Sequence, residues 1–322
     1  MNKQVKIEVL MSTYNGEKYI REQLDSILAQ KGDFQLKVSI RDDGSVDGTK
    51  DILAEYANTQ NIQVTYGNNI GVNASIMSLV LSAERDFDYF SFSDQDDVWH
   101  LDRLEKAITA LNLLPSTIPL LWSCMEELTN EELEPYCNMP TPKLLGDFYN
   151  AFLQNKTPGH TQVFNATLRN ILEKYPADKM HVYDWILYLL ACEFGQVLFC
   201  EDICGQYRQH GNNVIGYDSG GIALLLRRIK SLRGGDFEKS ISQLQYFLDF
   251  YDNQINKEHR EEIFRFLSMR RNLLTRTKYA FQTKIKRDTA LESFQIRLAY
   301  ILGAFGKTHF KADSIEKVKY MS

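Results

Sequence analysis

Within the first hundred residues, four strand-like apolar runs each empty into small, polar or acidic residues. Val5–Met11 runs into Ser12-Thr13-Tyr14-Asn15-Gly16, and Lys37–Ile40 into Arg41-Asp42-Asp43-Gly44-Ser45. Ile62–Tyr66 is followed by Asn68-Asn69 and then Asn73, and Tyr89–Ser93 by Asp94-Gln95-Asp96-Asp97. The segments between them read as helices: Glu17–Gln30 with Ile20, Leu24, Ile27 and Leu28 on one face, Asp47 to Ala57, and Gly71–Ala83. Strands separated by helices predict right-handed crossovers and a mostly parallel α/β sheet covered on both faces. Ligands of such sheets bind outside the carboxyl ends of the strands. Random placement would scatter the polar residues over both edges, so their convergence marks the candidate site.

The pattern continues with a short strand His160–Phe164, a helix Ala166–Lys174, an apolar helix His181–Cys192 carrying Asp184 near its start, and a strand Gln196–Cys200. Val98–Leu111 also reads as helical. From about residue 226 the pattern becomes helical and rich in Arg and Lys. This predicts an α/β domain over residues 1–225 and a basic helical region over 226–322. The net charge of -5 argues against a nucleic-acid binder. It is a cancellation, because residues from 226 onward hold 20 Lys/Arg and 11 Asp/Glu (net +9), leaving -14 for the rest.

Other classes fall away. Lys6 and Glu8 interrupt the N-terminal apolar run too early for a signal peptide. Asp184, Glu193 and Gln196 make the stretch Val182–Phe199 a buried helix followed by a strand rather than a membrane span. Five cysteines with no CxxC pair predict reduced thiols and a cytoplasmic setting.

Asp94, Asp96 and Asp97 fall within four residues at a strand end. Carboxylates this close repel one another unless a cation neutralises them, and oxygen donors suit Mg²⁺ or Mn²⁺, with positions left open for a diphosphate. An acidic turn capping a helix is the plainer reading, and Asp42 and Asp43 on the same edge weigh against it. There is no GxxxxGK[ST] and no GxGxxG after a strand; a chain without a glycine cradle can hold a diphosphate through a metal and a few side chains instead. Asp43 could accept from a base N–H or a ribose hydroxyl, and Tyr14 could stack on a base or simply pack.

Ser12–Gly16, Arg41-Asp42-Asp43-Gly44-Ser45-Val46-Asp47-Gly48-Thr49 and Phe92-Ser93-Asp94-Gln95-Asp96-Asp97-Val98-Trp99 resemble, in order and spacing, family 2 glycosyltransferases of the GT-A fold. The DQDDVW form is similar to a bacterial rhamnosyltransferase branch that builds surface polysaccharides, as are Gly159–Asn165, Tyr183-Asp184-Trp185 and Tyr207–Asn213. The resemblance spans about residues 5 to 216 and implies inverting transfer from a nucleoside-diphosphate sugar, dTDP-rhamnose or a UDP-hexose, to a hydroxyl of a lipid-linked or protein-linked glycan. It implies that Thr13, Tyr14, Asp42 and Asp43 line the nucleoside pocket, with Asn73 beside them and Asp94 by the ribose or the metal. Asp96 would ligate Mn²⁺ or Mg²⁺, His210 would complete the metal site or touch the diphosphate, and Arg208 would offer charge to the leaving group. Asp184 stands in the place of the catalytic base. Relatives tend to show His-Asp-Trp where this chain has Tyr183-Asp184-Trp185. Trp99 and Trp185 read as packing residues, with a sugar platform as the other role open to them.

Two further readings remain: a sugar nucleotidyltransferase, which would want a basic Gly-rich loop that Ser12–Gly16 lacks, and a non-catalytic sugar-nucleotide-binding scaffold. Residues 265–287 carry eight Lys/Arg and no acid, interleaved with apolar residues. Such helices suit an anionic membrane surface, or packing on the catalytic domain or another subunit of a homo-oligomer.

Overall fold

A computed structural model describes residues 4–59, 61–211 and 236–305. The chain divides into two compact units, Met1–Tyr217 and Asp218–Ser322. The domain boundary expected near 226, and Asn212 and Asn213, lie outside the described residues.

The first unit is built on one sheet. Strands β1 (Val5–Thr13), β2 (Phe34–Asp42), β3 (Ile62–Tyr66) and β4 (Tyr89–Ser93) form its parallel half, in the order β3-β2-β1-β4. The intervening helices are α1 (Ile20–Leu28), α2 (Thr49–Tyr56) and α3 (Val72–Ser82). Ile7, Val9 and Met11 of β1, Val38 and Ile40 of β2, and Ile20, Leu24 and Ile27 of α1 share one core, as helical spacing on α1 and two-residue spacing on β1 require. The register pairs Thr13 with Asp42, Met11 with Ser93 and Asp42 with Tyr66, so the polar strand ends do meet along one edge.

Beyond β4 the sheet turns antiparallel. After β5 (Val98–Trp99), α4 (Arg103–Leu111), β6 (Leu120–Thr129), β7 (Pro135–Asn138) and the short α5 (Phe148–Ala151) comes β8 (Val163–Asn165), which runs antiparallel to both β4 and β6. The start of β8 therefore abuts the carboxyl end of β4, and β6 points its own carboxyl end the same way. After α6 (Ala166–Leu172) and α7 (Tyr183–Phe194), β9 (Gln196–Arg208) lies parallel to β6 and ends at that edge too. α7 buries Ile186 to Ala191 without interruption, as a helix apolar on every side must.

Three element expectations need correction. Val98–Trp99 is a strand paired with Gln206 and Gly205, and the Trp99 N–H donates to Ser26 Oγ (3.0 Å), so α4 begins only at Arg103. Gly159–Thr161 forms a 3-10 turn, leaving only Val163–Asn165 as strand. β9 continues eight residues past Cys200, carried by register shifts against β6. All five cysteines are free, and no helix among the described residues is long and apolar enough to cross a membrane.

The second unit contributes α8 (Asp236–Tyr251), α9 (Lys257–Ser268), α10 (Leu273–Gln282) and α11 (Ala290–Leu302). Its core joins Phe266, Tyr279, Tyr300 and Phe305, with the Tyr300 hydroxyl donating to the Phe266 carbonyl (2.6 Å) and the Tyr279 hydroxyl to Glu262 (2.7 Å).

Candidate active site

The turn after β4 carries Asp94, Asp96 and Asp97, and the antiparallel return of β8 places His160 beside it. Donor atoms of Asp94, Asp97 and His160 all lie within 4.8 Å of one another. His160 Nδ1 sits 3.4 Å from Asp94 Oδ2, and His160 Nε2 sits 2.9 Å from Glu126 Oε2 near the end of β6. Glu126 also pairs with Arg103 (2.7 Å), whose guanidinium lies 4.1 Å from the Trp99 ring and donates to the His160 carbonyl. Glu126 and Arg103 are fully buried. Burial pushes the Glu126 carboxyl up, but His160 and Arg103 outweigh it and hold the group down at about 2. Burial would lower His160; Glu126, Asp94 and Asp97 instead raise it well above the ordinary imidazole value. Burial drives Asp97 well above the carboxylate range, helped by Asp96, Glu126 and Asp94 against His160.

Asp97 Oδ1 accepts from the Arg208 N–H (3.2 Å), whereas Oδ2 is buried with no hydrogen-bond partner among the described residues. A cation fits this donor set. An orphaned buried carboxylate oxygen, a second carboxylate and an imidazole backed by Glu126 on its far nitrogen form a histidine–carboxylate arrangement of the kind that orients metal ligands. Asp96 takes a different partner, with His210 Nε2 2.8 Å from its Oδ2, and the His210 ring stacks on Tyr19 (4.8 Å). Arg208 is held by the Asp96 carbonyl (2.9 Å), the Glu131 carbonyl and the Glu22 carboxylate, with its guanidinium 4.6 Å from the Tyr19 ring.

The loops after β1 and β2 meet the same edge. Gln95 reaches back to accept from Thr13 Oγ1 (2.5 Å) and the Tyr14 N–H (2.9 Å), and donates to the Tyr14 carbonyl (3.2 Å). A Cβ on Gly16 would lie 2.5 Å from Gln95 Oε1, so only glycine leaves that carboxamide room. Tyr14 itself is 46% exposed. The Asp42 carboxylate accepts from the Gly44 and Ser45 N–H groups through Oδ1, and its buried Oδ2 is unpartnered among the described residues. Asp43 accepts from Ile70 and Gly71 N–H (both 2.9 Å) and pairs with Arg41. Asn73 bridges α3 to the start of α7, donating to the His181 carbonyl (3.1 Å) and accepting from the Tyr183 N–H (3.1 Å).

Asp184 lies in the first turn of α7. Its Oδ2 accepts from the Gly159 N–H (2.9 Å) and its Oδ1 is buried with no hydrogen-bond partner among the described residues. A Cβ on Gly159 would meet the Tyr183 hydroxyl at 2.4 Å, so glycine lets the Tyr183 ring pack against this turn. Burial first, and Asp94 after it, push the Asp184 carboxyl up to about 6 against the Gly159 hydrogen bond. Trp99 is buried and the Trp185 indole N–H donates to the Ala151 carbonyl (2.7 Å), so both pack.

A family model described as Glycosyl transferase family 2 matches residues 8–176. The chain belongs to that family. RfbG of Shigella flexneri, a dTDP-rhamnosyl transferase, is 26% identical over 267 residues, which is 77% of this chain and 88% of RfbG. A Mycobacterium tuberculosis protein is 27% identical over 222 residues but is spanned only to 60% of its length. The structure of S. aureus TarS 1–349 with UDP-GlcNAc superposes with a TM-score of 0.53 over 93% of this chain and 92% of that one, at 17% identity. A longer TarS chain gives 0.55 and is covered to 44%. The TarS likeness speaks for the fold alone, a GT-A glycosyltransferase fold. The family 2 chain is thus a transferase with its acidic turn, β1 loop and α7 start on one edge.

Sequence reasoning missed Glu126, Arg103 and Gln95 as members of this site; it placed Asp97 in the acidic cluster and took His160 for the start of a strand. The one signal for Glu126 was a charge inside an apolar run, Leu120–Thr129, which also went unread as a strand.

Proposed function

We propose that this family 2 glycosyltransferase moves rhamnose or a hexose from a nucleoside-diphosphate sugar to a hydroxyl of a glycan acceptor, with inversion, in bacterial surface-polysaccharide or glycoprotein-glycan synthesis on the cytoplasmic side. The single observation that carries the reading is Asp184: a carboxylate held by the Gly159 N–H, with a buried second oxygen, its pKa raised to about 6, and close enough to Asp94 to feel its charge. A base held near neutrality is matched to taking a hydroxyl proton. The acceptor oxygen bonds to the anomeric carbon as the carbon–diphosphate bond breaks, and the proton goes to Asp184 Oδ1. A covalent intermediate is not required. The RfbG likeness over most of both chains supports a deoxyhexose donor carried on dTDP.

Asp94, Asp97 and His160 would hold Mn²⁺ or Mg²⁺, with Asp96 and His210 adjoining them. When bound there, the cation neutralises charge on the leaving diphosphate. Thr13, Tyr14, Asp42 and Asp43 form the nucleoside side, with Gln95 setting the β1 loop. Asn73 acts by pinning the start of α7. Arg208 acts by fixing the backbone of Asp96, and its charge would serve the leaving diphosphate. Incubation with a panel of nucleotide sugars and a glycan-lipid acceptor tests the reading: metal-dependent transfer from dTDP-rhamnose is expected, and a requirement for none of these donors would overturn it.

A further inference from the structure

The helical unit leaves two apolar stripes outside its own core. On α10, Leu274, Lys278 and Phe281 recur at helical spacing; Leu274 is 80% and Phe281 78% exposed. On α11, Leu291, Phe294, Leu298 and Leu302 follow at intervals of three, four and four residues and are 66%, 61%, 43% and 73% exposed. The opposite faces, Tyr279 with Ala280 and Ala299 with Tyr300, are the ones that pack. Exposed apolar residues at helical spacing on each of two successive helices mark a docking surface rather than scattered surface leucines.

Along the chain, α10 and its flanks carry charge of one sign. No acid occurs between 265 and 287. Of the eight bases there, Arg270 is spent inside the unit on the Phe305 carbonyl (2.9 Å) and Lys284 on Glu258 (2.5 Å). Arg271 and Lys278 are exposed, flanking Leu274. A second copy of this chain docking on the same face would bring the like-charged bases together. A leaflet of anionic lipid supplies both an apolar layer for the leucines and phenylalanines and opposite charge for the bases.

We propose that the exposed faces of α10 and α11 seat this protein on an anionic membrane surface, with Leu274 and Phe281 entering the headgroup boundary and Arg271 and Lys278 contacting lipid phosphates. This placement does not depend on the donor or metal reading.

The test is flotation of the full chain with mixed phosphatidylglycerol–phosphatidylcholine vesicles against pure phosphatidylcholine, at low and high salt. The wild type is expected to float with the anionic vesicles only, and less at high salt. Arg271→Ala with Lys278→Ala should weaken binding about 30-fold, from about 1 kcal/mol per basic residue. Leu274→Ser with Phe281→Ser, and separately Leu298→Ser on α11, should weaken it at every salt concentration. Leu113→Ser, at an exposed position of the other unit, should not. Equal flotation of wild type and variants, or equal binding to pure phosphatidylcholine, overturns the proposal. So does a wild-type dimer in light scattering that the stripe variants dissociate while vesicle binding is unchanged, since a second copy is then the occupant.

Discussion

His160 stands between two carboxylates, with Glu126 2.9 Å from one ring nitrogen and Asp94 3.4 Å from the other. One partner is buried behind the ring and the other lies 43% exposed, so the ring links the interior of the sheet to its solvent-facing edge.

If that link orients a metal ligand, His160→Ala should weaken Mn²⁺ binding, measured by titration calorimetry or electron paramagnetic resonance, more than loss of Glu126 does. Glu126→Gln, which keeps an acceptor for the ring, should weaken it about 10- to 100-fold, the usual range for a supporting partner. Unchanged affinity in His160→Ala would place the cation elsewhere, with Asp96 and His210 the next pair to test.

Arg103 and Glu126 form a buried ion pair, and removing Arg103 leaves the buried Glu126 carboxylate with His160 but without its guanidinium partner. Arg103→Met should destabilise the catalytic unit by about 3–5 kcal/mol in denaturant unfolding. A loss under 1 kcal/mol would mean that water or another group compensates Glu126.

Asp184 gives a prediction in both rate and stability. As a base it works ionised, so kcat should rise with pH through about 6, and Asp184→Asn should lower it by about 10²–10⁴-fold while donor binding persists. The folded carboxyl titrates above its unfolded value of about 4, so the native state binds the proton more tightly. Stability is therefore lost as pH rises from about 4 to about 6 and stays lower above it. Asp184→Asn, which still accepts from the Gly159 N–H, should melt higher than the wild type near pH 8 and the same near pH 4. An active Asn variant, or a melting difference independent of pH, would refute the assignment.

Gln95 fixes the β1 loop through three hydrogen bonds without being a charged member of the turn. Gln95→Ala should raise KM for the nucleotide sugar about tenfold with a smaller change in kcat, since each lost hydrogen bond is worth about 1 kcal/mol and part of the loop's order survives. Gly16→Ala, which pushes on the same carboxamide, should act in the same direction. A loss confined to kcat would move Gln95 from holding the donor to the chemistry.

The parallel half of the sheet was legible because strand and helix periods alternate there, and because register in such a sheet sends every strand end to one side. Asp42, Asp43, Asp94 and Asp96 were therefore placed along one sheet edge from sequence alone. The acid positions did not say which of them would stay free. Asp43 is taken up by the turn before α3 and Asn73 by the start of α7, contacts made across 27 and 110 residues of chain. Spacing carries no trace of such partners.

The sequence by itself determined the fold family, the sheet edge on which the polar strand ends gather and the residue types found there, since periodicity and turn composition are local properties. Tertiary structure alone decided the donor set. β8 enters antiparallel between β4 and β6, and that reversal sets His160 against Asp94 and Asp97 with Glu126 behind it. No local signal marks a strand of three residues as the one that turns around; its direction is fixed by the two neighbours it pairs with.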